Sequence, residues 1–113
     1  MRVLGISRLV KLKKKNAGNK PLCRDIDNLL KDLQGFNPVN SKLTDIRKDA
    51  DCVHSDGFYF FNINIHRSFV MIDFDGDGEA TIIWVGSHDE YERTFKNNKS
   101  TIEKWLRKNE YIE

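Results

Sequence analysis

Between Phe58 and Val85 the chain carries three runs rich in aromatic and β-branched residues, separated only by turn signals. Phe58–Ile63 is largely aromatic, His66–Phe74 carries Phe69, Val70, Met71 and Ile72, and Ala80–Val85 carries Ile82, Ile83, Trp84 and Val85. Short runs of this composition read as strands. Asn64-Ile65 leaves room for nothing longer than a tight turn. Asp75-Gly76-Asp77-Gly78 supplies the residues that tolerate positive φ and so closes a second hairpin. Parallel neighbours need a crossover of a dozen or more residues. These connections are far shorter, which makes the segment an antiparallel meander.

Helical signals lie on either side of it. Leu22, Ile26, Leu29, Leu30 and Leu33 form one apolar stripe, with Arg24, Asp25, Asp27, Lys31 and Asp32 on the polar side. Pro21 suits the first turn of that helix, Gly35 its end, and Asn37-Pro38 the turn beyond. Upstream, Arg2–Ile6 reads as a short edge strand. Ser7 is placed to cap a first helix holding Leu9, Val10 and Leu12, with Lys11, Lys13, Lys14 and Lys15 mostly outside. Residues 41–48 read as a short basic turn anchored by Leu43 and Ile46. After the meander come a helical piece around Asp89–Phe95 and another from Ser100, where Ser100 and Glu103 fit a capping box and Ile102, Trp105 and Leu106 give an apolar edge. The order β-α-α-β-β-β-α predicts an α+β fold with helices on one face of a sheet and the other face free for a ligand. At 113 residues, with no repeat and no long linker, the chain is expected to form one domain over residues 1–113.

Charge divides the chain. Residues 1–50 hold 12 Lys and Arg against 5 Asp and Glu, whereas residues 51–113 hold 7 against 12. A basic half of this kind points to a polyanion such as RNA or DNA, or to a solvated lysine face. No window approaches the ~18 apolar residues of a membrane span, and the apolar stretch before the lysine run is too short for a secretory signal. The cytoplasm is the expected compartment. Cys23 and Cys52 are 29 positions apart, form no C-x-x-C pair and are read as free thiols.

Asp73, Asp75 and Asp77 resemble the start of a calcium loop, but the twelfth position, which needs a bidentate Glu, is Trp84. The segment is read as a hairpin turn. His54, His66 and His88 have no second His three or four residues away, so no metal site is expected. His88 lies just past the third strand, in the kind of loop that displays chemistry, and can exchange protons near neutral pH. Arg67 is the one Arg or Lys in residues 57–92. A strand arginine among apolar neighbours needs an anion: an internal carboxylate such as Asp73 or Asp89, or a phosphate held by its planar fork. Tyr91 is three residues beyond His88, on the same face if a helix begins there.

Taken together, Tyr59-Phe60-Phe61-Asn62-Ile63, Asn64-Ile65-His66-Arg67 and Val85-Gly86-Ser87-His88-Asp89-Glu90-Tyr91 resemble the HigB-type toxins of bacterial toxin–antitoxin systems. Their pattern runs Y-V-F-N-I-x-x-N-x-x-R, then a hairpin, then V-G-T-H-x-E-Y-D. Leu43 and Ala50-Asp51 match a further stretch in spacing, and the resemblance covers about residues 40–95. It implies a RelE-like fold and a metal-independent endoribonuclease without cofactors. Such an enzyme cuts mRNA, usually on the ribosome, and is neutralised by a helix-turn-helix antitoxin. By the same resemblance Arg67 would stabilise the phosphate, His88 would act as acid or base, and Tyr91 would stack on a base or assist proton transfer. Arg47, Lys48 and Lys42 would hold RNA backbone. This chain departs from the pattern in several places. The segment from Asn62 to Arg67 is about two residues shorter, Thr44 and Arg47-Lys48 replace Lys and Phe-Pro, Ser87 replaces Thr, and Glu92 replaces Asp. A non-catalytic module that binds RNA or the ribosome, or an inactive relic of such a toxin, is the alternative.

Overall fold

The computed structural model describes residues 1–113. The three apolar runs are strands β3 (Phe58–Ile63), β4 (His66–Asp73) and β5 (Glu79–Ser87), paired antiparallel in sequence order. Alternation within them sorts side chains to two faces. Phe61, Ile63, Val70, Ile72, Ala80 and Ile82 lie on one, and Phe58, Phe60, Phe69 and Ile83 on the other. On the second face Phe60 stacks on Phe69, its cross-strand partner, at 4.1 Å between centroids. Such a pair adds about 0.5–1.5 kcal/mol beyond area burial.

Two strands complete the sheet. β1 (Arg2–Leu4) runs parallel to β5 at one edge, and β2 (Asp51–His54) runs antiparallel to β3 at the other, giving the order β1-β5-β4-β3-β2. The edge strand at the N-terminus is thus shorter than its apolar run, and β2 is an addition to the expected order. The chain leaves β1 through Gly5 at φ 75°, where a Cβ would stand 2.5 Å from the Ile82 carbonyl oxygen. Gly5 is therefore the cap position of helix α1 (Ile6–Lys15). Ser7 lies inside the first turn, which corrects its expected capping role.

Helix α2 (Lys20–Gly35) follows, with Asn19 accepting a hydrogen bond from the Leu22 amide and Pro21 in the first turn. Its stripe of Leu22, Ile26, Leu29 and Leu33 is fully buried together with Leu9 of α1. A single-turn helix, α3 (Leu43–Ile46), anchors the next segment through buried Leu43, while Ile46 stays exposed.

The second sheet face is also covered. Helices α4 (His88–Phe95) and α5 (Lys99–Lys108) bring Tyr91, Phe95, Ile102 and Leu106 onto Phe58, Phe60 and Phe69. The expectation of one free face is corrected by this layer, for α5 has an apolar edge that must be buried somewhere. Its cap is Asn98, which accepts from the Thr101 amide, rather than Ser100. Lys96 and Asn97 both take positive φ and turn the chain so that the helix is capped two residues earlier than the Ser100 pattern implies.

Candidate active site at the end of the meander

With both faces covered, the open chemistry lies where β4 begins and β5 ends. Asn62, Arg67 and Gly86 are cross-strand neighbours in one row. Asn62 continues the face of Phe58 and Phe60, and Arg67 that of Phe69. Gly86 reaches this face through a bulge. Phe69 pairs with Trp84 but Val70 pairs with Ile82, so Ile83 is the extra residue and alternation shifts by one beyond it. A Cβ on Gly86 would lie 2.6 Å from the Trp84 ring. The missing side chain lets the indole lie alongside the strand, next to where α4 starts.

The start of α4 is fixed from two sides. Ser87 and Glu90 form a capping box: the Ser87 hydroxyl accepts from the Glu90 amide at 3.1 Å, and the Glu90 carboxylate accepts from the Ser87 amide at 2.9 Å. That amide bond, chiefly, holds the Glu90 carboxyl below its usual range. The His88 amide then donates to the Ile65 carbonyl at 2.9 Å, tying the helix to the β3–β4 turn. That turn places Asn64 at φ 59°, which asparagine tolerates better than most residues.

Tyr91, one turn into α4, joins the two candidate groups. The Arg67 guanidinium lies 4.2 Å from the centroid of its ring. The His88 ring lies 6.3 Å away and nearly parallel. Arg67 and His88 line one shallow pocket of about 350 Å³, together with Asn62, Asn64, Ile65 and His66. Arg67 makes no ion pair. Asp73 sits at the far end of β4 opposite Glu79, which removes it as the internal partner. The His88 Nε2 stands 3.7 Å from a Glu92 carboxylate oxygen, one turn along the exposed side of α4.

The remaining residues singled out from the sequence divide. Tyr91 is 1% exposed and donates its phenol proton to Asn97 at 3.0 Å. Burial, its largest influence, pushes the phenol pKa up. It has no free face for a nucleobase, which corrects the stacking role. Arg47 is turned inward, with a side chain 14% exposed. It pairs with Asp49 at 2.7 Å and Asp32 at 3.3 Å and donates to the Asn62 carbonyl. Its charge is satisfied internally, so its expected backbone contact with RNA is corrected too. Lys42 is exposed but borders a hollow with Phe36, Tyr59 and Phe74, toward the opposite end of the sheet. Lys48 is exposed and precedes Asp49, whose carboxylate accepts from the Asn62 amide.

His66 is the residue that sequence reasoning passed over. It pairs with Ser87 in the row after Arg67 and shares the face of Ile63, so it looks toward α1. Its Nδ1 is buried and has no hydrogen-bond partner. Burial dominates and lowers its pKa, leaving the ring neutral at pH 7. The available signal was strand alternation across His66-Arg67, which puts two chemically able side chains on opposite sides of one strand end.

An α+β sheet with helices on both faces, bearing an unpaired arginine and a histidine at one rim, defines a small RelE-like protein. The family model described as the RelE-like toxic component of a toxin–antitoxin system matches residues 31–94. The chain belongs to the HigB toxin family, and that family implies an antitoxin partner. No curated protein and no solved structure matches the chain.

Proposed function

We propose that the protein is an endoribonuclease that cleaves mRNA at the pocket holding Arg67 and His88. The observation that carries this reading is the unpaired Arg67 guanidinium, held over the Tyr91 ring at 4.2 Å in the same pocket as His88. Metal-free RNA cleavage needs a base for the 2′-hydroxyl proton, a cation for the charged phosphorane and an acid for the leaving 5′-oxygen. Arg67 supplies the cation in a fork that matches two phosphate oxygens. His88 exchanges the proton, with a Glu92 carboxylate oxygen 3.7 Å from its Nε2 beside the ring. Asn62 offers an amide in the next strand position. Tyr91 acts as a positioning residue beneath Arg67. Lys48 is the RNA-backbone contact retained from the sequence.

The whole of residues 1–113 acts as the toxin unit. Its substrate is mRNA on the translating ribosome in the cytoplasm, and a helix-turn-helix antitoxin neutralises it. The sequence resemblance supports these points. The test is expression of His88→Gln and Arg67→Ala without antitoxin, with mRNA cleavage followed by primer extension. Each substitution is expected to lower the cleavage rate by about 10²–10⁴. If both variants still cut mRNA at the original rate, the site lies elsewhere. A protein that binds mRNA without cutting it in any form is the non-catalytic module.

A further inference from the structure

His66 lines a second pocket, of about 420 Å³, on the α1 side of the sheet. Its other charged lining residues are Arg8, Lys11 and Lys15 of α1 and Glu90 of α4. Arg8, Lys11 and Lys15 fall at i, i+3 and i+7, which is one helix face. All three are exposed, and none makes an ion pair. Lys13, on another face of the same helix, is instead paired with Asp27 at 2.8 Å. Of the five cations on the helix, one is neutralised against α2, three are left open over the pocket, and Lys14 borders a separate hollow with Val10. The single anion, Glu90, is engaged by the Ser87 amide. The buried Nδ1 of His66 is a polar atom without a partner, where the large majority of such atoms have one.

His66 borders both pockets, so the cationic hollow adjoins the Arg67–His88 pocket at the start of β4. We propose that this hollow is a second phosphate subsite, in which Arg8, Lys11 and Lys15 hold the backbone of single-stranded RNA flanking the phosphate at Arg67. The inference rests on the nuclease reading and adds to it the path of the substrate. RNA is favoured over an acidic protein segment because the three cations adjoin the pocket proposed for chemistry, so a flexible strand held at Arg67 finds open cations on its flank, beyond the neutral His66 ring and the engaged Glu90 carboxylate.

The test measures binding of a fluorescent single-stranded RNA, long enough to span both pockets, by anisotropy across a salt series. Full-length His88→Gln protein is compared with the same protein carrying Arg8→Ala, Lys11→Ala and Lys15→Ala. Alanine preserves helix propensity, and a thermal melt confirms that both fold. Three lost phosphate contacts at ~0.7 each reduce the slope of log K against log salt by about 2, so the affinity gap between the proteins widens roughly 16-fold from about 200 to about 50 mM salt. With His88 intact, the triple variant is expected to cut a trinucleotide at the unmodified rate and a long RNA more slowly. An unchanged salt slope overturns the subsite while cleavage at Arg67 and His88 stands. Loss of slope toward polyglutamate but not RNA overturns it in favour of an acidic protein partner. If the protein neither binds nor cuts RNA, the nuclease reading itself has failed, and the subsite falls with it.

Discussion

Replacing Tyr91 by phenylalanine separates two roles that the sequence leaves together. The ring is packed edge-on against Phe60 at 4.9 Å and tilted against Phe95 at 5.8 Å, and it carries Arg67 at 4.2 Å. All of these ring contacts survive in the Tyr91→Phe protein. The change removes one neutral hydrogen bond, to Asn97, which is exposed and regains water. The expected cost is therefore near the lower end of the usual ~0.5–1.5 kcal/mol, a fall in Tm of about 2–4 °C. Because burial raises the phenol pKa, the hydroxyl is a poor base near neutral pH. RNA cleavage by Tyr91→Phe is expected to stay within about threefold of the original, with an unchanged pH profile, since no proton-transfer step worth ~10²–10⁴ is removed. Tyr91→Leu is expected to behave differently. It removes the ring from its aromatic neighbours, costing about 2–4 kcal/mol, and takes away a cation–π contact worth about 0.5–2 kcal/mol from Arg67. Single-turnover cleavage and urea denaturation of both variants decide the matter. A Tyr91→Phe protein that melts normally yet loses about 100-fold or more in cleavage refutes the positioning role and restores the phenol to the chemistry.

Three further outcomes follow from the same geometry. Gly86→Ala places a methyl 2.6 Å from the Trp84 ring, so overpacking is expected to cost about 1–3 kcal/mol in urea titration; a neutral result means that the indole moves aside freely. Arg47→Ala leaves the Asp32 and Asp49 carboxylates without their cation; about 1–3 kcal/mol of stability should be lost after discounting for solvent access, while the salt slope of RNA binding stays unchanged, and a reduced slope returns Arg47 to the RNA interface. His66 has a folded pKa below its unfolded value of 6.5. The unfolded chain therefore takes up a proton first as pH falls below about 6.5. Stability present above that pH is lost on acidification through the folded pKa, and His66→Gln should flatten the Tm–pH curve there, whereas Glu90, whose folded pKa is depressed from 4.5, loses its contribution only at lower pH. An unaltered curve in His66→Gln places the titrating group elsewhere.

What could be read from the sequence is what local chemistry decides. The apolar stripe of α2 and the aromatic run of β3 appear with their expected partners because periodicity alone names their buried sides. Arg67 and His88 fall at one rim because a meander with two short turns leaves few alternatives. Other features depend on packing that no local pattern states. Asp51–His54 is a strand by virtue of pairing with β3, for of its four side chains only Val53 is β-branched and packs on the aromatic layer, and Asp51 and Cys52 are exposed. Arg2–Leu4 becomes a parallel neighbour of β5 because Gly5 turns the chain onto Ile82. Arg47 and Tyr91 have the right chemistry for RNA, but their burial is set by Asp32, Asp49 and the aromatic layer, contributed by distant parts of the chain.

The least legible feature is also the one on which the site depends. Counting alternation from Ile82, which faces α1 and α2, would put Trp84 and Gly86 on that same face. Arg67 would then lie beside the side chain of its neighbour in β5 rather than beside a glycine, and the indole of Trp84 would have to enter a layer already filled by Leu9, Leu22 and Phe61. The extra residue at Ile83 moves Trp84 onto the aromatic face opposite Phe69 and returns Val85 to the α1 side. Ser87 then stands in register with His66 and caps α4 with Tyr91 directed under Arg67. A single bulge therefore satisfies both hydrophobic layers and sets the rotation at which α4 leaves the sheet. Packing of the core and convergence of the arginine and the histidine have the same geometric cause.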